Sequence, residues 1–346
     1  MNIDSHLDVI NACRFCFMCR HIDTTATVTC READIPRGRA LILDRVRMNG
    51  PETLNDPDYI DTMYDCALSA ACRKHCVSDY DEAGLVLAAR RDIVELGYAP
   101  AAVTALADTI AAEFAPAVDG DAGDVLYVQT TAYMDKQPEI AVAFGKAMQA
   151  AGVAYRTLSV NDTGKAVAVL GFADKAKAMT DKLRAAIIAT GCSTVVTSCP
   201  AAFDALKNDI EGLDGIDVQH SSTYLLGLVE AGPLVVTSTV KEGTYIDSDF
   251  LRNYNDITAE PRTLLGKAGV ALTPFGTNPE ESYACGEGSL VLDQLRPELT
   301  GKLRAHVIGL MDSPDDLIIT ASPYTKHVLS GADGVHVTSI EEAIAG

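Results

Sequence analysis

The chain has 346 residues, enough for two or three ordinary domains with real apolar cores. Its 48 acidic against 28 basic residues give a formal net charge of −20, which excludes a nucleic-acid binder and a polybasic grip on anionic lipid. Ten cysteines, with no leader-like start and no apolar run long enough to span a bilayer, imply a cytoplasmic, reducing setting rather than a disulfide framework.

Cys13, Cys16 and Cys19 recur at three-residue steps, and Cys66, Cys72 and Cys76 form a second run. Thiolates so spaced wrap one corner of an iron–sulfur cubane, and in two-cluster modules a further cysteine reaches across to the other cluster. Against that template, the first run should end in Cys-Pro, where Asp23 and Thr24 stand, and the second run has Ser69 in place of a cysteine. By the crossed rule, Cys13, Cys16, Cys19 and Cys76 hold one [4Fe-4S] cluster, whereas a second would draw on Cys66, Ser69, Cys72 and Asp23. Cys30 is a substitute ligand for that second site, beside oxygen donors that hold such cores less well than thiolate. Zinc, or plain buried thiols, are the alternatives, although zinc sites use two paired Cys-x-x-Cys knuckles and this spacing does not. Arg14, Arg20, Arg37 and Arg39 surround the first run, either to offset thiolate charge or to face a partner. His21 and His75 flank cluster cysteines and read as solvent-facing. Helical periodicity around Leu41, Ile42, Val46 and Met48, and again through Leu85, Val86, Ala89, Ile93 and Val94, makes residues 1–98 a helical, ferredoxin-like module.

Residues 115–123 are rich in turn formers and read as a linker. Beyond them short apolar strands alternate with helices. Strands are expected at 125–129, 154–158, 194–197 and 217–219, and helices at 138–151, 173–190, 201–208 and 222–230. That rhythm signals βαβ units and parallel sheet. The pattern then repeats, with a strand at 234–238 echoing 125–129, and a strand at 317–320 followed by Ala321-Ser322-Pro323 and a helix echoing 194–197 followed by Ser198-Cys199-Pro200. The expected fold is therefore α+β overall, a helical module followed by two pseudo-symmetric α/β half-domains at 121–232 and 233–346, with sites at strand carboxyl ends.

Cys192, Cys199 and Cys285 complete the cysteine inventory. Cys192 precedes its strand and reads as a core thiol. The Gly286-Glu287-Gly288 segment lacks the third glycine and the preceding strand of a dinucleotide fingerprint. The carboxylate pairs Glu280-Glu281 and Asp315-Asp316 read as solvated loops.

The segments Cys13-Arg14-Phe15-Cys16-Phe17-Met18-Cys19-Arg20-His21, Pro36-Arg37-Gly38-Arg39-Ala40, Thr197-Ser198-Cys199-Pro200, Tyr245-Ile246-Asp247-Ser248-Asp249-Phe250-Leu251, Pro261-Arg262 and Ala284-Cys285-Gly286-Glu287-Gly288, with His220 and Tyr224-Leu225, give nearly the whole chain a family resemblance. It resembles the iron–sulfur subunits of heterodisulfide reductase, glycolate oxidase and anaerobic glycerol-3-phosphate dehydrogenase, with their cysteine-rich CCG domains. It is also similar to the iron–sulfur subunits that accompany flavin-dependent demethylases of methylated amines and betaines. Where that family carries further cysteines, this chain has Ala202, Asp249 and Ala284. The remaining set, Cys199, Asp249 and Cys285, is either a degenerate metal or cluster site or a vestige kept for its turns. The resemblance implies an electron-transfer subunit that relays electrons between a partner flavoprotein (FAD or FMN) dehydrogenase or demethylase and a quinone or other carrier, peripheral to a membrane through that partner. Two rivals stand beside it: a reductase with its own substrate site at Cys199, Asp249 and Cys285, and a structural assembly subunit.

Overall fold

The computed structural model describes residues 1–276, 283, 285–313 and 316–345; Glu280, Glu281, Ala284 and Asp315, named above, lie outside the described residues. The fold is α+β, with parallel sheet as the alternating apolar runs predict. The chain divides into two compact units. The first comprises Met1–Ala112, Ala166–Ala176 and Glu280–Gly309, and the second Glu113–Lys165, Lys177–Pro279 and Leu310–Gly346. Among the described residues no helix is long and apolar enough to cross a membrane.

The first unit is helical: α1 (Leu7–Ala12), α2 (Thr24–Thr29), α3 (Pro36–Asn49), α4 (Pro57–Tyr64), α5 (Ala71–His75), α6 (Glu82–Glu95) and α7 (Ala101–Ala112). Local chemistry sets the starts. Asp23, Asp56 and Asp81 accept backbone N–H bonds at the beginnings of α2, α4 and α6, and Pro36 and Pro57 open α3 and α4, where a missing N–H costs nothing. The inner face of α6 buries Leu85, Val86, Ala89 and Ile93 as its periodicity predicts. On α3 the buried apolar residues are Ala40, Leu43 and Val46, while Leu41 and Met48 are exposed. The N-terminus is tied down by Asp92, whose carboxylate accepts the backbone N–H groups of Asn2 (2.6 Å) and Ile3 (3.0 Å).

In the second unit β1 (Ala117–Asp119), β2 (Val125–Thr130), β3 (Tyr155–Val160), β4 (Thr194–Thr197) and β5 (Asp217–His220) form one sheet in the order β1-β3-β2-β4-β5. Strands β6 (Glu242–Ile246), β7 (Ala271–Thr273), β8 (Ile318–Thr320) and β9 (Val337–Ser339) form another in the order β7-β6-β8-β9. All pairings are parallel except β1 against β3. The order β3-β2-β4-β5 thus recurs as β7-β6-β8-β9, and β4 and β8 each run into a helix opened by proline, Pro200 and Pro323. Of the two expected echoes, that of 194–197 in 317–320 falls on β4 and β8.

Two expectations are corrected. The strand that opens the second sheet is Glu242–Ile246, not 234–238: Leu234 and Val236 are buried, as an alternating strand requires, but among the described residues 234–238 joins no ladder, its Leu234 N–H going to Leu228 O at 3.2 Å and its Ser238 N–H to Ala268 O at 2.9 Å. The linker at 115–123 contains β1, an exposed edge strand whose polar turn formers hide it.

The shared core of this unit packs Tyr127 on Phe144, rings stacked at 4.0 Å, and takes in residues of both sheets. At the strand carboxyl ends lies a buried polar cluster. Tyr127 donates to Ser198 Oγ (2.8 Å), and Ser221 donates to Glu341 Oε1 (2.6 Å). His220, fully buried at the end of β5, accepts the Ser222 N–H on Nδ1 at 3.2 Å. Burial lowers its pKa to about 4, against a weaker upward pull from the carbonyls of Ser198 and Ala321. The folded form therefore holds a neutral ring that the unfolded chain protonates below its ordinary value of about 6.5, so this stability is complete above pH 6.5 and lost as pH falls toward 4. Glu341, raised by burial, works in the opposite sense, so comparison with a variant isolates the histidine. We expect His220→Gln to flatten the pH 7 to pH 4.5 change in urea midpoint by the equivalent of up to about 3 kcal/mol; an unchanged slope refutes the buried neutral ring.

Candidate metal centre

Four thiols from two distant stretches meet in the first unit. Cys13 caps the end of α1, Cys16 is exposed in the loop that follows, Cys19 lies in the single turn Met18–Arg20, and Cys76 ends α5. All four line one pocket, whose walls include Pro36, Arg37 and Tyr80. The loop closes on itself because Phe15 takes the left-handed conformation (φ 52°), unusual for a side-chain-bearing residue. Arg37 braces it, donating to the carbonyl of Cys16 at 3.3 Å, lying 4.2 Å over the Phe17 ring and giving Nε to Glu32 Oε1 at 2.6 Å.

The Pro36-Arg37-Gly38-Arg39 motif now has a physical reading. Pro36 starts α3, and Arg37 points to the cysteine loop. A Cβ on Gly38 would sit 2.2 Å from Glu32 O, so only glycine lets α3 press against the Glu32–Asp34 turn. Arg39 then points inward. Burial pushes the Cys13 thiol up, with Cys76 and Cys16 adding to it, and takes Cys19 to about 11. Thiols ligate as thiolates, so a bound cation takes the place of their protons, and a soft donor set of this kind fits iron–sulfur.

The second set also meets, but around a charge. Cys66 and Cys72 are buried, and Cys72 Sγ lies 3.9 Å from Asp23 Oδ2. Donor atoms of Asp23, Cys72 and Glu82 lie within 4.8 Å of one another. Arg39, fully buried, bonds Asp23 Oδ2 at 3.1 Å and Glu82 Oε1 at 2.6 Å, and gives Nε to Thr62 O at 3.4 Å. Burial takes Cys66 to about 12 and Cys72 well above the thiol range; it also raises Glu82 to about 7 although Arg39 opposes it. Asp23 has a second task, since its Oδ1 accepts the Ala26 N–H at 3.0 Å and caps α2. Cys30 is exposed at the left-handed end of α2 and lines a separate cavity of about 300 Å³ with Phe17, Arg20, His21 and Arg31. Ser69 Oγ accepts the Ala71 N–H at 3.4 Å.

Of the third set, Cys199 precedes Pro200 at the end of β4, and buried Asp249 precedes the turn Phe250–Tyr254, both in the second unit. Cys285, also buried, belongs to the first unit. There Gly288 serves close packing: a Cβ would meet Leu68 O at 2.0 Å. Cys192 sits in a hydrophobic cluster with Leu183 and Ile187, the core thiol it reads as.

Sequence reasoning missed Glu82 and Arg90. Glu82 looks like an ordinary acidic first-turn residue of α6, and Arg90 like a solvated charge on the same helix. The one available signal is position: Arg90 follows the apolar Ala88 and Ala89, on the stripe that α6 turns inward.

No family model matches the chain, and no solved structure matches it. Two curated proteins do. Over 164 residues the chain is 27% identical to the EtfAB:quinone oxidoreductase of Syntrophomonas wolfei subsp. wolfei, a stretch covering 44% of this chain and 22% of that protein. Over 102 residues it is 32% identical to a probable membrane-anchored ferredoxin of Chromohalobacter salexigens, covering 28% of this chain and 15% of that one. The matched stretches thus span less than a quarter of either relative.

Proposed function

We propose that the chain is an iron–sulfur electron-transfer subunit that binds a [4Fe-4S] cluster through Cys13, Cys16, Cys19 and Cys76. In this reading it relays electrons between a flavoprotein dehydrogenase or demethylase and a quinone or other carrier, and reaches a membrane surface through its partner. The observation that carries it is the convergence of four thiols from distant stretches on one pocket. The likeness to a quinone oxidoreductase and to a ferredoxin supports it. When bound, the cluster supplies reversible one-electron chemistry. The protein's own part is to hold four thiolates, brace their loop with Arg37 and present exposed Phe15, Phe17 and Met18 beside basic Arg14 and Arg20, an apolar and cationic face on an otherwise acidic chain.

The chain purified anaerobically and reconstituted with iron and sulfide is expected to carry iron and acid-labile sulfide in equal amounts and to give a dithionite-dependent electron paramagnetic resonance signal. Absence of labile sulfide, or zinc in place of iron, defeats the proposal. Cys285→Ala separates it from the rival in which substrate reacts at Cys199, Asp249 and Cys285: electron transfer persists under the proposal and stops under the rival.

A further inference from the structure

We infer that the second cluster position of this module is closed, and that the buried guanidinium of Arg39, bridged to Asp23 and Glu82, occupies the place beside Cys66 and Cys72 that a second cluster would need. The inference rests on the proposed function, since it takes the first four thiols as the cluster site.

The donor set comes first. Asp23 stands where the template has cysteine, and both its oxygens are committed, Oδ1 to the Ala26 N–H at 3.0 Å and Oδ2 to Arg39 at 3.1 Å. Glu82 Oε1 is held by the same nitrogen at 2.6 Å. A metal at Asp23 Oδ2 or Glu82 Oε1 competes with Arg39 for the oxygen it already holds. Arg39 is fully buried, its Nε fixed on Thr62 O, and its departure strands two carboxylates in the interior. Asp23, Cys72 and Glu82 are close enough to surround a single metal ion, but the cation between the two carboxylates is already there, and a second positive ion would be repelled. With two thiols left and no free oxygen at position 23, the residues do not fit a cubane. The consequence for function is an electron carrier of capacity one.

The test is iron counting, reductive titration and thermal melting on the anaerobic full chain after reconstitution. The wild type should bind about four irons, not about eight, and take up about one electron. Cys66→Ala/Cys72→Ala should keep all of that iron. Arg39→Met should melt well below the wild type, because it isolates Asp23 and Glu82, and Arg39→Met/Asp23→Asn/Glu82→Gln should recover most of the loss without changing the iron content. About eight irons in the wild type, loss of half the iron with Cys66 and Cys72, or one equivalent of another metal that disappears in Glu82→Gln overturns the inference while leaving the first cluster standing. A chain that binds no iron at all would sink the proposed function and leave the closed site intact, with the melting series then deciding the role of Arg39.

Discussion

Arg90→Met is expected to cost about 3–6 kcal/mol, the largest single loss of stability in the first unit. Arg90 is 1% exposed and spreads its fork over three segments: Nε to Met63 O, Nη1 to Val169 O and Nη2 to Cys66 O, each at 3.0 Å. Its guanidinium also lies 5.1 Å from the centre of the Tyr64 ring. Methionine preserves the apolar stem but leaves three buried carbonyls without their donor, at about 1–3 kcal/mol for each that finds no other partner. Against a total stability of about 5–15 kcal/mol, that is enough to unfold the cysteine-bearing unit near physiological temperature. Because the chain has no tryptophan, far-ultraviolet circular dichroism in urea is the natural measurement. Arg90→Lys should recover only part of the loss, since one ammonium does not reproduce the three-way fork. A Met variant with a midpoint close to the wild type would show that the Cys66 run is held by something else.

Arg90 also marks the boundary of what the sequence discloses. The parallel strands were legible because β2 and β4 are short apolar runs bounded by turn formers, and the repeat was legible because Ser-Cys-Pro and Ala-Ser-Pro follow β4 and β8. That Cys13, Cys16, Cys19 and Cys76 share a pocket, and that Asp23 lies beside Cys72, follows the crossed ligation template rather than local spacing. Pairings that depend on distant chain were not legible. Leu234 and Val236 alternate like a strand, yet the ladder is made by Glu242–Ile246, and nothing local records which segment finds β8 as a neighbour. Arg39 reads as a residue that offsets thiolate charge or faces a partner, and Arg90 is not singled out, because a buried arginine is justified only by its partners, and those sit at Asp23, Glu82, Met63 and Val169. Cys285 and Gly288 read naturally with the sheet-bearing half, but the segment holding them belongs with the helical unit, where Gly288 packs on Leu68.

Cys76→Ser should abolish the cluster's visible absorbance and lower electron transfer by more than about 100-fold, since even outer-shell changes cost 10–100-fold and this one removes a thiolate from the iron. Serine is a near-isostere but a harder donor, so the loss reports ligand softness rather than a hole in the packing. Cys72 is the informative control because it too lines the pocket. Its surroundings differ from those of Cys76: Cys72 faces Asp23, Glu82 and Cys66 in the buried interior, whereas Cys76, half-buried at the end of α5, faces Cys13. Under the proposed ligation the fourth thiolate comes from Cys76, and Cys72→Ala should retain the full spectrum. The converse result, with Cys76→Ser intact and Cys72→Ala bleached, would move the fourth ligand inward to the Arg39 side and reopen the second site to iron. Circular dichroism on both variants distinguishes ligand loss from unfolding, because unfolding of the cysteine-bearing unit removes its helical signal and ligand loss alone does not.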